Sequence, residues 1–372
     1  MRYGTSDYPP YYPRTQRTES PRTDSIGGNS QQGGNRIFYL DALKAFSMLA
    51  MILLHVSAVG LSEEKVISSQ WNECGLYNSL CHFCVPVFVM ISGALLLGND
   101  KPIGKYIKRV IISLIFWCTS YAIYVQIGEL LTNSNFDLRK LIICIFKPTH
   151  LWFLWMILCM YIATPILRYI IRNHRVMEYF IIIWLIFAVI IPGLTALPII
   201  GYLFSSIKEQ THFTLCIDYS GYYILGYYLA NKPLNNITKY VWFYIIGGIT
   251  VTYIGTYFVS RSLGVTSELF LGYFFPTTFI VAVGVFLLFK QCLNNDIFPA
   301  KLKSIVYFIS AYSLGIYAIH MFFLVGFHRI GFTYNIFSSV LSIPLIWAVC
   351  LALSLLSIWI IKRFIPGGNK II

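Results

Sequence analysis

The chain has 372 residues, 57% of them hydrophobic and only 12% charged, with a formal net charge of +13. A soluble domain carries roughly 25% charged residues, so a water-soluble fold would have too little polar surface for this apolar content. The same figures exclude a disordered chain, which needs low hydrophobicity, and a small disulfide scaffold, which needs denser cysteine. What remains is an all-α polytopic membrane protein, since a bilayer requires each spanning segment to satisfy its own backbone groups.

Residues 1–35 are rich in Tyr, Pro, Arg, Ser, Thr, Gly, Gln and Asn, with Ile26 the sole aliphatic residue after Met1. Such a stretch cannot offset its ordering entropy and reads as a disordered tail. It lacks the apolar core of a signal peptide, and the stretch that begins at Ile37 is too long for one. Apolar runs follow at 37–61, 77–98, 110–128, 151–171, 179–200, 212–230, 240–260, 270–290, 304–327 and 336–361. Each is close to the roughly 20 residues that cross a bilayer. They predict one bundle of ten transmembrane helices over residues 36–362, followed by a cytoplasmic tail at 363–372, with no internal repeat and no appended soluble domain.

Placing the N-terminus inside puts 20 of the 28 lysines and arginines on the cytoplasmic side and 7 outside, with Lys44 within a span. That asymmetry predicts cytoplasmic N- and C-termini. It also accounts for the basic balance without nucleic acid. The nine cysteines lie mostly within spans, where Cys behaves as a small apolar residue. Cys81-His82-Phe83-Cys84 has the look of a metal motif but lacks a second ligand pair nearby, so no metal is expected. Cys74 and Cys81 could pair in an oxidising compartment, but spacing alone does not decide it.

Ionisable groups inside spans are costly and face the protein interior or a water-filled cavity. The first span holds three: Asp41, Lys44 and His55. Eleven helical steps separate Lys44 from His55, which puts them on one face about 16 Å apart, and Asp41 sits three residues before Lys44 on the same stripe. The plain reading is a structural ion pair plus one hydrogen-bonded imidazole. The chemical reading is an acid, a base and a cation along one path.

The segment Arg36-Ile-Phe-Tyr-Leu-Asp41-Ala-Leu-Lys44, continuing apolar to His55, resembles the opening of the integral-membrane acyltransferase 3 family. There an aspartate step precedes a basic residue, ten residues and a histidine; Lys44 stands for the commoner arginine. Further similar segments follow in order: Val85-Pro86 to Leu97, the basic cluster Lys105, Lys108 and Arg109, His150-Leu-Trp152-Phe-Leu154, Tyr222-Tyr-Ile-Leu-Gly226-Tyr-Tyr-Leu229 and Ser313-Leu-Gly-Ile-Tyr317-Ala-Ile-His320. Tyr106 interrupts the family's usual arginine pair. The short loops look most like the small bacterial surface-glycan O-acetyltransferases, which implies a bacterial-type plasma membrane.

The resemblance implies an O-acyltransferase that uses acetyl-CoA or another acyl-CoA as donor and a surface or lipid-linked glycan as acceptor. His55 is then the base or the acyl carrier. Lys44 holds the donor or polarises its carbonyl, or only neutralises Asp41. Lys105, Lys108 and Arg109 receive the CoA phosphates, against the plainer reading of positive-inside anchoring. His82, His150, Trp152 and Asp218 are candidates for binding the acceptor, though interfacial hydrogen bonding or an aromatic belt would equally place such residues there. His320, beside Tyr317, reads as a buried hydrogen-bonding residue, with a catalytic part as the alternative. Membrane lipids complete the expected partners. Two other classes stay open: a glycan exporter of the same architecture, and a membrane assembly or sensor protein that uses the tail.

Overall fold

The first apolar stretch folds as one helix, α1 (Phe38–Glu63), which stops where Glu63, Glu64 and Lys65 replace apolar residues and Ile67 takes a positive φ of 65°. This computed structural model describes residues 36–133, 138–146, 150–197, 201, 204, 218–233, 239–293, 298–365, 368 and 371. The predicted tail 1–35, and Lys147, Lys208 and Lys370 from the charge tally, lie outside the described residues. Ile37–Ile372 form one compact unit. Among the described residues all regular structure is helical.

The second apolar stretch is one crossing segment, Ser69–Leu96, with a two-residue break between its two helices. It comprises α2 (Ser69–Cys81) and α3 (Cys84–Leu96). It begins earlier than its hydropathy suggests because the Ser68 side chain caps the Trp71 N–H. The helix α4 (Gly104–Asn133) and a short α5 (Leu138–Phe146) follow; α5 occupies the stretch that reads in sequence as the longest loop. Next come α6 (Trp152–Arg172) and α7 (His174–Trp184). The latter continues through a π-helical turn, Leu185–Ile190, into the short α8 (Ile191–Leu194) at Pro192. The remainder comprises α9 (Asp218–Asn231), α10 (Val241–Leu263), α11 (Pro276–Cys292), α12 (Ala300–Ala311), α13 (Ser313–Arg329) and α14 (Ser339–Phe364).

Each of the ten predicted stretches overlaps a helix. Among the described residues, seven helical segments are long and apolar enough to cross a bilayer, or eight if α12 and α13 count as one span bent by 71°. The 14-residue α9 and 17-residue α11 are shorter than a full crossing. The bend corrects the reading of 304–327 as one helix: Tyr312 leaves the helical region at φ −101°, ψ 11°. Broken helices at membrane depth are tolerated where protein surrounds them.

The bundle has a centre and a shell. α1 packs against α2, α3, α11, α12, α13 and α14. Its most apolar stretch is 56% buried and that of α2–α3 is 67% buried, against 28% for α6, α7–α8, α10 and α14. The shell presents large apolar side chains outward, such as Ile166 and Phe243, as a lipid-facing surface must. α3 and α9 touch backbone to backbone: a Cβ at Gly93 would lie 1.7 Å from the Tyr223 carbonyl oxygen, and one at Gly226 would lie 2.0 Å from that of Met90. This reciprocal contact is the close helix approach that small residues permit in membranes. Side chains lock other joints. Trp347 Nε1 donates to the Leu49 carbonyl at 2.9 Å, and Arg168 donates to the carbonyls of Leu96 and Lys101 beyond the end of α3. Ile371 is buried against α4, where Trp117 Nε1 donates to its carbonyl at 2.7 Å.

Candidate active site

α1 runs unbroken from Asp41 to His55, so the three ionisable residues lie along one helix as their spacing predicts. Asp41 and Lys44 are half-buried. The Ser310 hydroxyl, at the end of α12, donates to the Asp41 carboxylate at 2.5 Å. The acidic end of the stripe is therefore tied to the bend between α12 and α13.

The other end of the stripe meets three imidazoles. The His55 and His320 rings lie 5.1 Å apart at 40°. His150 stands edge-on to His320 at 6.1 Å and to Tyr121 at 4.5 Å. His55 is also within electrostatic range of His82 and His150. Four residues far apart in sequence, on α1, α2–α3, the start of α6 and α13, thus surround one point in the bundle.

Their local support differs. His320 is fully buried, and its Nδ1 lies 2.6 Å from the Tyr317 carbonyl one turn earlier. The Tyr317 hydroxyl in turn donates to the backbone carbonyl of His150. Together, these bonds fix α13 against the start of α6. His82 Nδ1 is held 3.3 Å from the Asn78 carbonyl, and Asn78 itself donates to the Leu54 carbonyl and the Ser57 hydroxyl of α1. Among the described residues no Asp, Glu, Lys or Arg is buried, whereas His150 and His320 are. His320 Nε2 has no hydrogen-bond partner there, whereas the His150 ring meets the backbone of Ala318. Buried polar atoms are normally paired, so His320 Nε2, on the ring that faces His55, stands out in this cluster.

Beside the imidazoles lies an aromatic stack. His82 stacks on Tyr273 at 5.4 Å, and Tyr273 on Trp152 at 5.8 Å. Trp152 also contacts Tyr219 at 6.1 Å. Asp218, next to Tyr219, is exposed at the start of α9, and its backbone carbonyl accepts from Trp184 Nε1. Of the sequence-predicted acceptor residues, His82 and Trp152 therefore share one stack and Asp218 adjoins it, while His150 belongs to the imidazole cluster. Lys105, Lys108 and Arg109 form an exposed face on the first turns of α4, separate from the cluster. Arg109 lies within electrostatic range of Tyr161, which bonds to Ser92.

No group of three or more His, Cys, Asp or Glu among the described residues is arranged to hold a metal ion. Cys74, Cys81 and Cys84 are free thiols, so the Cys74–Cys81 pairing is not formed. Sequence reasoning missed Tyr273, which lies in a connection with no motif around it. It also undervalued His320, although Tyr317 three residues before it was a visible clue.

The acyltransferase 3 family model, described as an acyltransferase domain, matches residues 37–363. This chain belongs to the acyltransferase 3 family. No curated protein and no solved structure gives a significant match. The match covers the whole helical unit, including α1 with its Lys44–His55 stripe and α13 with His320. As a family member with these apolar helices, the chain is an integral membrane acyltransferase.

Proposed function

We propose that this acyltransferase is an O-acetyltransferase that moves an acyl group from cytoplasmic acyl-CoA to a hydroxyl of a cell-surface or lipid-linked polysaccharide. The observation that carries the reading is the convergence of His82, His150 and His320 on His55, at the far end of a helix that begins with Asp41 and Lys44. The membrane in this reading is a bacterial-type plasma membrane with both chain termini in the cytoplasm, and the asymmetry of basic residues supports that placement of the termini.

The donor then approaches from the side that carries Lys105, Lys108 and Arg109. Their exposed cations suit the phosphates of CoA. Lys44 lies between that face and His55 and holds the pyrophosphate of the donor, with Asp41 as its ionic neighbour. The acceptor arrives from the opposite side, where Tyr273, stacked on His82 and Trp152, braces Trp152 to meet a sugar ring, and His82 and Asp218 offer polar atoms to its hydroxyls. His55 takes the proton of the acceptor hydroxyl while the oxygen bonds to the acyl carbon and the C–S bond breaks. The thiolate of CoA then takes that proton from His55, which leaves a glycan ester and free CoA.

Radiolabelled acetyl-CoA supplied to the cytoplasmic face of membrane vesicles tests the reading. Label passing into extractable glycan supports it. Absence of label from every glycan fraction, with the protein inserted in normal amount, rejects it and favours a glycan exporter.

A further inference from the structure

The reaction just proposed leaves His320 without a part, yet His320 has the more sharply defined geometry of the two facing imidazoles. Its Nδ1 lies 2.6 Å from the Tyr317 carbonyl. A carbonyl oxygen only accepts, so Nδ1 carries the ring proton. Nε2 is then a lone pair, fully buried and without a partner among the described residues. The His55 ring centre lies 5.1 Å from that of His320, close to the roughly 5 Å at which one N–H···N bond joins two imidazoles, and no such bond is formed in this structure.

We infer that His320 is a positioning residue for His55: its Nε2 accepts the second N–H of His55 when His55 holds the acceptor's proton. The pair works as the base and its orienting group do in a hydrolase triad, with an imidazole in place of the carboxylate. A neutral partner suits this depth, since no Asp or Glu is buried among the described residues. The proton does not pass to His320. It arrives from the acceptor hydroxyl, it is stabilised through the N–H···Nε2 contact, and it leaves to the CoA thiolate. The groups facing His320 are His55 from α1, His150 from the start of α6 and Tyr317 from its own helix, while Cys350 of α14 meets its backbone carbonyl. Tyr317 spends its hydroxyl on the His150 carbonyl, and the His150 ring stands edge-on and farther off at 6.1 Å, which leaves His55 at 5.1 Å as the nearer partner.

This inference rests on the acyltransferase reading, and its test separates the two. His320→Asn keeps an N–H for the Tyr317 carbonyl but removes the acceptor at the Nε2 position. His320→Gln reaches that position with an amide oxygen. We expect His320→Asn to insert normally, keep its KM for acyl-CoA and lose about 100-fold in kcat, with the limb of its pH–rate profile that reports His55 displaced. His320→Gln recovers part of the loss. Nitrogen-15 solid-state NMR of histidine-labelled protein in bilayers gives an arm independent of turnover: wild type shows His320 protonated at Nδ1, and His55→Ala shifts its Nε2 signal. Full activity in His320→Asn with an unmoved pH profile overturns the inference, as does a His320 protonated at Nε2. If wild type transfers no acyl group, the function proposed above fails, and the NMR arm alone still decides whether His320 serves His55.

Discussion

The rings of His55 and His320 lie 5.1 Å apart, one on the first long helix and the other beyond the bend in the ninth apolar stretch. A second contact, from Ser310 to Asp41, ties the same two stretches together at the other end of the ionisable stripe. The bend and the stripe are thus held in register at two levels. Ser310→Ala removes a hydrogen bond to a carboxylate, worth about 1.5–3 kcal/mol. A lower melting temperature in detergent and reduced acyl transfer are the expected results; an unchanged Tm would show that the bend is fixed by packing alone.

Lys44 lies about 16 Å along the helix from His55 and shares its stripe with Asp41. If it steadies the donor, Lys44→Arg keeps the charge and most of the activity, whereas Lys44→Met loses about 100-fold in kcat/KM for acyl-CoA. Steady-state kinetics on both variants checks this. Equal activity in Lys44→Met would assign Lys44 to structure.

The exposed Lys105, Lys108 and Arg109 are expected to act on donor binding and not on chemistry. Replacing all three with Gln should raise the KM for acyl-CoA about tenfold or more, leave kcat within about twofold, and reduce the dependence of KM on salt. A changed kcat with unchanged KM would assign these residues to membrane anchoring or folding.

Tyr273 bridges His82 and Trp152 through two stacked contacts. Aromatic pairs of this kind are worth about 0.5–1.5 kcal/mol. Tyr273→Leu should therefore raise the acceptor KM by up to about tenfold, while Tyr273→Phe should change it little. Acceptor titrations at saturating donor measure both.

Much of this was legible in the sequence because membrane depth makes polar residues conspicuous. Asp41, Lys44 and His55 stood out in an apolar run, and a straight helix preserved their spacing. The breaks at His82-Phe83 and Tyr312 were not legible, because hydropathy is continuous across both. The meeting of His55 with His320 and His150 was equally hidden, since it depends on which helices surround α1. Tyr273 had no local signal at all, being placed by tertiary packing in a connection.

Gly93 and Gly226 set the distance between α3 and α9. Gly93→Ala puts a methyl group into the Tyr223 carbonyl and forces the helices apart. Overpacking of this kind costs about 1–3 kcal/mol, and the expected readout is a lower melting temperature with poorer recovery of monodisperse protein. Wild-type stability in Gly93→Ala would show that α3 and α9 can separate without penalty.

The most direct measurement compares wild type with His55→Ala in the same membranes, at matched protein amounts, following label from acetyl-CoA into glycan. Transfer by wild type and background transfer by an inserted, folded His55→Ala variant is the expected result. Undiminished transfer by His55→Ala would contradict the assignment of the imidazole cluster as the reaction centre.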